Sequence, residues 1–534
     1  MADSTKTASQ PLWRGAPLVL ALLCGIAAYA NSLHGPFIFD DIDAILNNPQ
    51  INRTLPDRTL PDLGRAIPTT LSGRPMLQLS FEADYAMAGL HVEIYHATNL
   101  LIHLAAGALL FGIVRRNLAR REFWADRFGS SAHWLAGAVT AIWLVHPLNT
   151  SAVTYTVQRA ESLAAIFYLA VIYCLIRDAE REKIGWKLAA IAACGLGMAT
   201  KETMATAPIV ALLYDRTFIS GSFLAALRKR AFLYAGLAAT WAILIALIAG
   251  GGRSASVGFG RNISAMDYAR TQLGVIAHYL LLMIWPRGLA LDYYGWPIAR
   301  HWSQIGIGGV VVAVLIVFFI VMFWLKPWLG FLGAWFFVIL GPSSSFVPIV
   351  TEIAAEQRMY LPLIAPIALL VIGAWSLLTW KPVGRLILPV APWALLSLLA
   401  ALTIRTLIRN HQYRYPEKIW AGNVTERPLD PRARFNLGYS LEQSGDHAAA
   451  AVQYAKALEL APDYYSAADA LGRALVESGD LRAAENFYTG EMRLFPAFAA
   501  EAHRQRGWLR AERGDSAGAR EDFDAVTRPS GDSP

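Results

Sequence analysis

Residues 436–462 read NLGYSLEQSGDHAAAAVQYAKALELAP, and residues 470–496 read ALGRALVESGDLRAAENFYTGEMRLFP. Leu437-Gly438 returns as Leu471-Gly472. Ala450, Tyr454 and Pro462 return as Ala484, Tyr488 and Pro496, each 34 residues on. A third copy carries Gly507, Ala519 and Phe523, with one residue inserted. Ser444-Gly445-Asp446, Ser478-Gly479-Asp480 and Arg513-Gly514-Asp515 predict turns between helices. The small residues let paired helices cross closely, the aromatic residues fill the gap, and proline starts the next unit. Self-similarity at this period marks a stack of helical hairpins, each burying its apolar face against the next.

Outward from these repeats the composition changes near residue 410. After it the chain is rich in Ala, Glu and Arg and amphipathic. Before it, apolar runs of membrane-spanning length recur, a helix needing about 20 such residues to cross the hydrocarbon core. The whole chain of 534 residues is 55% apolar and only 16% charged, where soluble proteins average about 25% charged. With a mean hydropathy of +0.37, a soluble enzyme, a disordered chain and a fibrous repeat are excluded, which leaves a polytopic membrane protein with a soluble appendage. The net charge of +7 is spread over short loops; it reads as orientation bias and gives no nucleic-acid surface. Cys24, Cys174 and Cys194 lie in apolar runs with neither metal nor disulfide spacing. There is no Walker loop, and the first apolar run, after Lys6 and Arg14, reads as an uncleaved span.

The period of 34 is the tetratricopeptide signature. The expected architecture is therefore all-α: a multispanning membrane domain over 1–406, a juxtamembrane linker over 407–430, and three tetratricopeptide repeats forming an α-solenoid over 431–528. Such an array offers a concave groove for peptides; a stabilising cap or dimer contact is the alternative. Eleven spans are expected, from Pro17–Ser32 to Leu386–Leu402. Ala265–Trp285, with Asp267, Arg270, Gln272 and His278, reads as an interfacial or re-entrant helix. Basic clusters at Arg115, Arg116, Arg120, Arg121 and Arg127, at Arg177, Arg181, Lys183 and Lys187, and at Arg216, Arg228, Lys229 and Arg230 alternate correctly if these loops are cytoplasmic. The loop Leu33–Pro75, the turns at His146–Arg159, Lys201–Glu202 and Ser343–Tyr360, and the repeats then face outward.

The first outer loop carries Asp40-Asp41. A carboxylate there can act as general base toward a hydroxyl or hold a cation, and its neighbour can tune it. A solvated turn or an acidic helix start with Asp43 is the plain alternative. Glu93, His96, Asn99 and His103 share one helical face. They either line a cavity or make interhelical hydrogen bonds, the latter favoured for His103, the deepest. Further polar residues sit at span boundaries: His146-Pro147, Gln158-Arg159-Ala160-Glu161, Lys201-Glu202, Glu352, Glu356, Arg358 and Tyr360. Each alone reads as a snorkelling anchor. Together, the expected topology gathers Asp40, Asp41, Arg74, His146, Arg159, Lys201 and Arg358 on one face. Carboxylates with several cations suit a hydroxyl nucleophile and an anionic lipid donor, each charge-assisted bond to phosphate contributing about 1.5–3 kcal/mol.

The series Asn31-Ser32-Leu33 through Phe39-Asp40-Asp41, Asn48-Pro49, Arg74-Pro75, Tyr95-His96 with Asn99 and His103, His146-Pro147, Arg159-Ala160-Glu161, Lys201-Glu202 and Arg358-Met359-Tyr360-Leu361-Pro362 resembles the transmembrane-and-tetratricopeptide O-mannosyltransferases and their bacterial relatives. The resemblance spans most of the chain. It implies a GT-C glycosyltransferase fold, a polyprenyl-phosphate-linked sugar donor carrying mannose or another hexose, and transfer to Ser or Thr hydroxyls of exported proteins, which the repeats could recruit. It makes Asp40 the general base and Asp41 its orienting partner. Arg358, with Arg159 or Lys201, holds the leaving phosphate, and Arg74, His96, Asn99, His146, Glu161, Glu202, Glu356 and Tyr360 line the substrate site. In-line attack inverts the anomeric carbon. No cofactor is required, a divalent metal on Asp40 and Asp41 being the minority form. Two departures are Ser151, where a glutamate is expected, and an array of only three repeats. The implied location is a bacterial inner membrane with the site facing the periplasm, or the endoplasmic reticulum lumen in a eukaryote, where sequons at Asn52, Asn149, Asn262 and Asn423 would matter. Transfer to a lipid or glycan, and a non-catalytic scaffold displaying the repeats, are the rival readings. A transporter would show symmetry between halves, and none is visible.

Overall fold

The computed structural model describes residues 10–51, 71–120, 125–250, 263–345, 347–380, 388–496 and 499–527. Lys6, Arg121 and the sequons at Asn52 and Asn262 lie outside them, as does the start of the span expected at Leu386. The described residues are helical, with no strand among them. The chain divides into one unit of residues 1–289 and 296–415 and a second of residues 290–295 and 416–534.

The first unit contains α1 (Gln10–Tyr29), α2 (Pro75–Ala88), α3 (Val92–Leu118), α4 (Ala132–Leu144), α5 (Arg159–Arg181), α6 (Ile184–Met198), α7 (Ala207–Phe218), α8 (Phe223–Lys229), α9 (Ala231–Ala249), α10 (Ala265–Ile284), α11 (Gly306–Leu325), α12 (Pro327–Leu340), α13 (Ile364–Leu378) and α14 (Ala391–Tyr413). By length and composition, five helical stretches among the described residues suffice to cross a membrane: Val92–Leu118, Thr156–Arg181, Ala231–Ala249, Trp302–Leu325 and Ala391–Tyr413. A sixth forms if Glu202–Phe218 and Phe223–Lys229, bent by 108°, count as one span. Gly15–Tyr29, Ile184–Met198, Pro327–Leu340 and Ile364–Leu378 are apolar but shorter. These four shorter helices lie where spans are expected. The His146-Pro147, Lys201-Glu202 and Glu356–Met359 stretches wind as separate tight turns and do not lengthen their neighbours. The chain is nonetheless built as an integral membrane protein.

The sharp bend after α7 is held by charge. Arg230 reads as part of a wetted basic cluster, yet it is buried, with Nη1 3.0 Å from Asp215 and Nε 3.2 Å from Asp178. Tyr234 and Ser220 donate to the Asp215 carboxylate, each at 2.7 Å. Helix α10, expected at the interface, buries Tyr268, Thr271, Gln272 and Tyr279. Its amide Gln272 donates to Ile353 O, and the Tyr279 hydroxyl accepts the Ala355 N–H. The polar face that weakens α10 as a span therefore supports the 352–358 loop.

The second unit contains α15 (Pro416–Glu426) and the repeat helices α16 (Pro431–Gln443), α17 (His447–Leu460), α18 (Tyr465–Glu477), α19 (Leu481–Leu494), α20 (Ala499–Glu512) and α21 (Ser516–Thr527). Residues 407–430, read as a linker, complete α14 and form α15. Asn423 accepts the Leu291 and Asp292 N–H groups and donates to Asp292 O, fastening residues 290–295 into this unit. Its sequon is therefore closed, as is that of fully buried Asn149. The repeat turns follow one chemistry. Asp446, Asp480 and Asp515 accept the N–H three residues on, capping the helix that follows. Gly445, Gly479 and Gly514 supply φ of 85°, 83° and 84°, which a side chain would strain.

Gly438, Gly472 and Gly507 serve close crossing. A Cβ there would meet Tyr454, Tyr488 and Phe523 at 2.7, 2.5 and 2.8 Å. Gly472→Ala should cost about 1–3 kcal/mol through overpacking. The melting of the full chain in detergent, followed by circular dichroism, checks this; an unchanged transition would mean the ring moves aside freely.

Candidate active site

The acidic pair sits on a turn that the fold strains and then pins. Helix α1 ends at Tyr29, and the chain returns past Gly35, whose carbonyl lies 2.9 Å from His96 Nε2. Phe39 has φ of 48°, a left-handed conformation costing a non-glycine residue about 1 kcal/mol or more. Asp40 follows directly, and its backbone N–H donates to the Tyr155 hydroxyl at 2.9 Å. Asp41 is buried; its Oδ1 accepts the Val157 N–H at 2.7 Å and its Oδ2 the Ile38 N–H at 3.2 Å. It holds the N-cap position of a wide π turn over residues 42–46, but its side chain makes no cap hydrogen bond there. Asp40 and Asp41 thus open a short helical stretch with Asp43 in its first turn, the acidic helix start weighed as an alternative, while the Asp41 carboxylate is spent on Ile38 and Val157.

Burial pushes the Asp41 carboxyl up to about 8, its backbone hydrogen bonds acting against this. The pH dependence follows. The folded chain holds a proton on Asp41 that the unfolded chain releases near pH 4. Stability from this group is full below pH 4 and falls as pH rises toward 8. Asp41→Asn should flatten that slope in melts between pH 5 and 8. Asp41→Ala should cost about 1–3 kcal/mol for each of the two buried N–H groups left without an acceptor. Equal slopes for wild type and Asp41→Asn would show that Asp41 ionises normally.

The turn after α4 carries the opposing wall. His146 Nδ1 accepts the Leu148 N–H, so Nε2 bears the proton and donates to Met283 O at 3.0 Å. Burial lowers this imidazole to about 4, so it is neutral. His146 is a turn cap with both nitrogens engaged, not the substrate ligand expected. Ser151, the departure from the family pattern, donates to Gln357 Oε1 at 3.0 Å, tying this turn to the Arg358 loop. Tyr155 is buried, and burial with the charges of Asp40 and Asp41 pushes its phenol well up, so it stays protonated; Glu352 acts on it in the same sense.

Arg358 itself is mostly enclosed. It donates to Ser343 O and Ile353 O, both at 3.1 Å, and to Glu352 O. The Glu352 carboxylate lies 3.8 Å away with its side chain 40% exposed. Glu356 is buried. Tyr360 points elsewhere: its hydroxyl meets His103 Nδ1 at 2.6 Å, His103 Nε2 lies 3.0 Å from Leu144 O, and Trp143 donates to Tyr360 O. These three form an interhelical core, as foreseen for His103. Tyr360, expected in the substrate site, belongs to that core.

Arg159 is likewise redirected. Its side chain is fully buried, and its Nε donates to Asn99 Oδ1 at 2.5 Å, Nη1 to Ser80 O and Oγ, and Nη2 to Tyr95 O and Asp84 Oδ2. Every N–H of the guanidinium is engaged, so none is left for a phosphate. Asn99 donates to Val153 O and Thr156 O. Arg159 and Asn99, both expected to touch substrate, instead fix α2, α3 and the 153–156 turn around the acidic pair.

The other charged residues do meet. Arg74 lies 3.1 Å from Glu202, both partly exposed, and Lys201 lies 2.7 Å from Glu161. Asp40 and Asp41 are held on Tyr155 and Val157 of the 146–158 turn, Glu352 and Arg358 pair within their own loop, and Arg74–Glu202 and Lys201–Glu161 form ion pairs. Asp84, Tyr155 and Gln357 escape sequence reasoning; Asp84 is one of two acids, with Glu82, in a helix that also carries Gln78. An apolar cavity of about 110 Å³ among Leu110, Phe128, Tyr214, Phe331, Trp335 and Ile364 contains none of these residues. Among the described residues no three His, Cys, Asp or Glu side chains assemble as a metal-ligand set, and both Asp41 oxygens are occupied by backbone N–H groups.

A tetratricopeptide-repeat family model matches residues 431–464. Protein O-mannosyl-transferase TMTC4 of Mus musculus is 26% identical over 505 residues, 83% of this chain and 66% of that relative. Its counterpart from Homo sapiens is 26% identical over 506 residues, with the same shares. Protein O-mannosyl-transferase Tmtc2 of Drosophila melanogaster is 30% identical over 207 residues, 36% of this chain and 21% of the relative. The homologues of this chain are thus transmembrane-and-tetratricopeptide O-mannosyltransferases. The match spans just under two thirds of the length of the two TMTC4 proteins.

Proposed function

We propose that this chain is a GT-C-type membrane glycosyltransferase that moves a hexose, mannose by analogy with the relatives' name, from a polyprenyl-phosphate donor to Ser or Thr hydroxyls of exported proteins. What supports this reading is the acidic pair pinned on the 155–157 turn, through the Asp40 N–H on the Tyr155 hydroxyl and the Val157 N–H on Asp41, and the bond from Ser151 before that turn to Gln357 beside Arg358. Asp40 takes the acceptor hydroxyl proton as its oxygen attacks the anomeric carbon. The bond from that carbon to the phosphate oxygen breaks, its electron pair leaves with the phosphate, and configuration inverts. Asp41, keeping its own proton near neutrality, adds no second charge beside Asp40 and fixes the turn. Arg358 receives the departing phosphate when the half-exposed Glu352 carboxylate yields its place. Arg74 and Lys201, each now paired with a glutamate, are the further cations open to exchange. Arg159 takes no part in this binding. The leaving phosphate needs no proton, and no step runs through a metal.

The active site and repeats face the periplasm, or the endoplasmic reticulum lumen in a eukaryotic cell. Mass spectrometry of exported proteins from cells with and without the gene tests the reading: a hexose on Ser or Thr should vanish with the gene. A change confined to lipid- or glycan-linked hexose would move the acceptor class. No change in any hexose would leave the scaffold.

A further inference from the structure

We infer that Arg405, Arg409 and Tyr413 form a site for the phosphate group of a membrane lipid at the C-terminal end of α14. The contrast with Arg159 gives the grounds. Arg159 is buried with its whole guanidinium engaged, the Asp84 carboxylate included. Arg409 is buried too, at 5% exposure, yet its one hydrogen bond goes to the neutral amide oxygen of Gln412 at 2.9 Å. Its Nε and Nη2 are buried with no hydrogen-bond partner, which leaves three of its five N–H groups without an acceptor. Helix α14 contains no Asp or Glu to balance it. Glu356 acts on the neighbouring Tyr413 by its charge, but Arg409 forms no ion pair with it among the described residues. A buried cation held in this way is costly until an anion meets it.

Two neighbours on the same helix show the same incompleteness. Arg405 lies one turn before Arg409 on one face. Its Nη2 donates to Pro286 O at 2.6 Å, and its Nε is buried without a partner. Like charges one turn apart repel, so the pair itself favours an anion. One turn after Arg409 comes Tyr413, whose ring centroid lies 5.3 Å from the Arg409 guanidinium carbon. The Tyr413 side chain is 2% exposed, and its hydroxyl is buried with no hydrogen-bond partner. The stripe 405, 409 and 413 thus presents unmet donors and two positive charges. A carbonyl oxygen would satisfy the donors and leave the charge. A phosphate answers both, and its oxygens match the planar guanidinium fork.

This end of α14 is bonded to the turn that carries the acidic pair. Thr406 donates to Val145 O at 2.8 Å, and Asn410 accepts from the Thr154 hydroxyl at 2.7 Å. Thr154 precedes Tyr155, on which Asp40 is pinned, and Ser151, three residues before Thr154, bonds Gln357 beside Arg358. The lipid in question is the polyprenyl phosphate of the donor, an identity that rests on the function proposed above; a bilayer phospholipid carries the same group. Gln412, partly buried and uncharged, is the side chain that an entering phosphate replaces on Arg409.

The test measures binding of tritiated farnesyl phosphate to the full chain in dodecyl maltoside, an uncharged detergent. Arg405→Gln and Arg409→Gln should each weaken binding about tenfold or more, and Tyr413→Phe severalfold. Farnesol, which lacks the phosphate, should compete at least tenfold more weakly than unlabelled farnesyl phosphate. Phosphatidylglycerol separates the sources: weaker competition than farnesyl phosphate supports the site as one for the polyprenyl lipid, and equal competition supports it as one for a bilayer lipid. No saturable binding by wild type, equal competition by farnesol, or wild-type binding in all three variants overturns the site. Binding lost in Arg358→Gln alone overturns it while leaving the proposed function in place. Loss of that function, read as unchanged hexose on exported proteins, leaves this binding measurement intact. If Arg409→Gln melts below wild type, Arg405→Gln and Tyr413→Phe decide instead, and wild-type binding by both overturns the site.

Discussion

Replacing Arg159 with methionine should destabilise the membrane unit by about 3–5 kcal/mol, because it removes one partner of a fully buried ion pair and leaves the other charged. Asp84 is 1% exposed and keeps only the hydroxyl of Thr98, at 2.7 Å, once the guanidinium is gone. The Asn99 oxygen and the Ser80 and Tyr95 carbonyls lose their donor together. The measurement is the thermal stability of the monodisperse fraction in detergent, for Arg159→Met, Asp84→Leu and the double variant. The double variant should recover part of the loss, since removing both charges avoids the uncompensated one. A residue that only held a donor phosphate would behave differently, leaving the melting point in place and weakening donor binding. Unchanged stability in Arg159→Met would restore Arg159 to the substrate site.

Arg159 also shows where legibility stopped. Its position beside the acidic turn followed from the order of motifs along the chain. Its occupation did not, because the partner Asp84 lies 75 residues away and nothing in either local pattern announces the other. The repeats were legible for the opposite reason: helix crossing demands a small residue against an aromatic ring at a fixed offset, and that demand is written in one window of sequence. The membrane unit was legible as a class from its apolar runs. The turns at His146-Pro147 and Lys201-Glu202 that separate its helices were legible too, because polar residues and proline interrupt the apolar runs there. Arg230 counted toward a cytoplasmic basic cluster, and a basic run reads the same whether its members meet water or, as here, Asp178 and Asp215.

Asp40→Asn should reduce sugar transfer by about 10²–10⁴-fold, the range by which a positioned general base contributes, while leaving the melting point close to wild type. The two halves of this prediction rest on different atoms. Asparagine keeps the backbone N–H that donates to Tyr155 and has nearly the shape of aspartate, so the strained turn at Phe39 is retained. What it lacks is a carboxylate able to accept the acceptor's proton. Asp41→Asn differs in kind, because both Asp41 oxygens accept backbone N–H groups and an amide can satisfy only one. Activity in membranes, read as hexose transfer to a Ser/Thr peptide, and melting in detergent should therefore separate the two variants: Asp40→Asn inactive and stable, Asp41→Asn weakened in both. Near-normal transfer by Asp40→Asn would remove Asp40 from the chemistry. Equal destabilisation by both substitutions would reduce the acidic pair to a structural turn, because the loss expected for Asp41→Asn comes from the two backbone N–H groups its carboxylate holds.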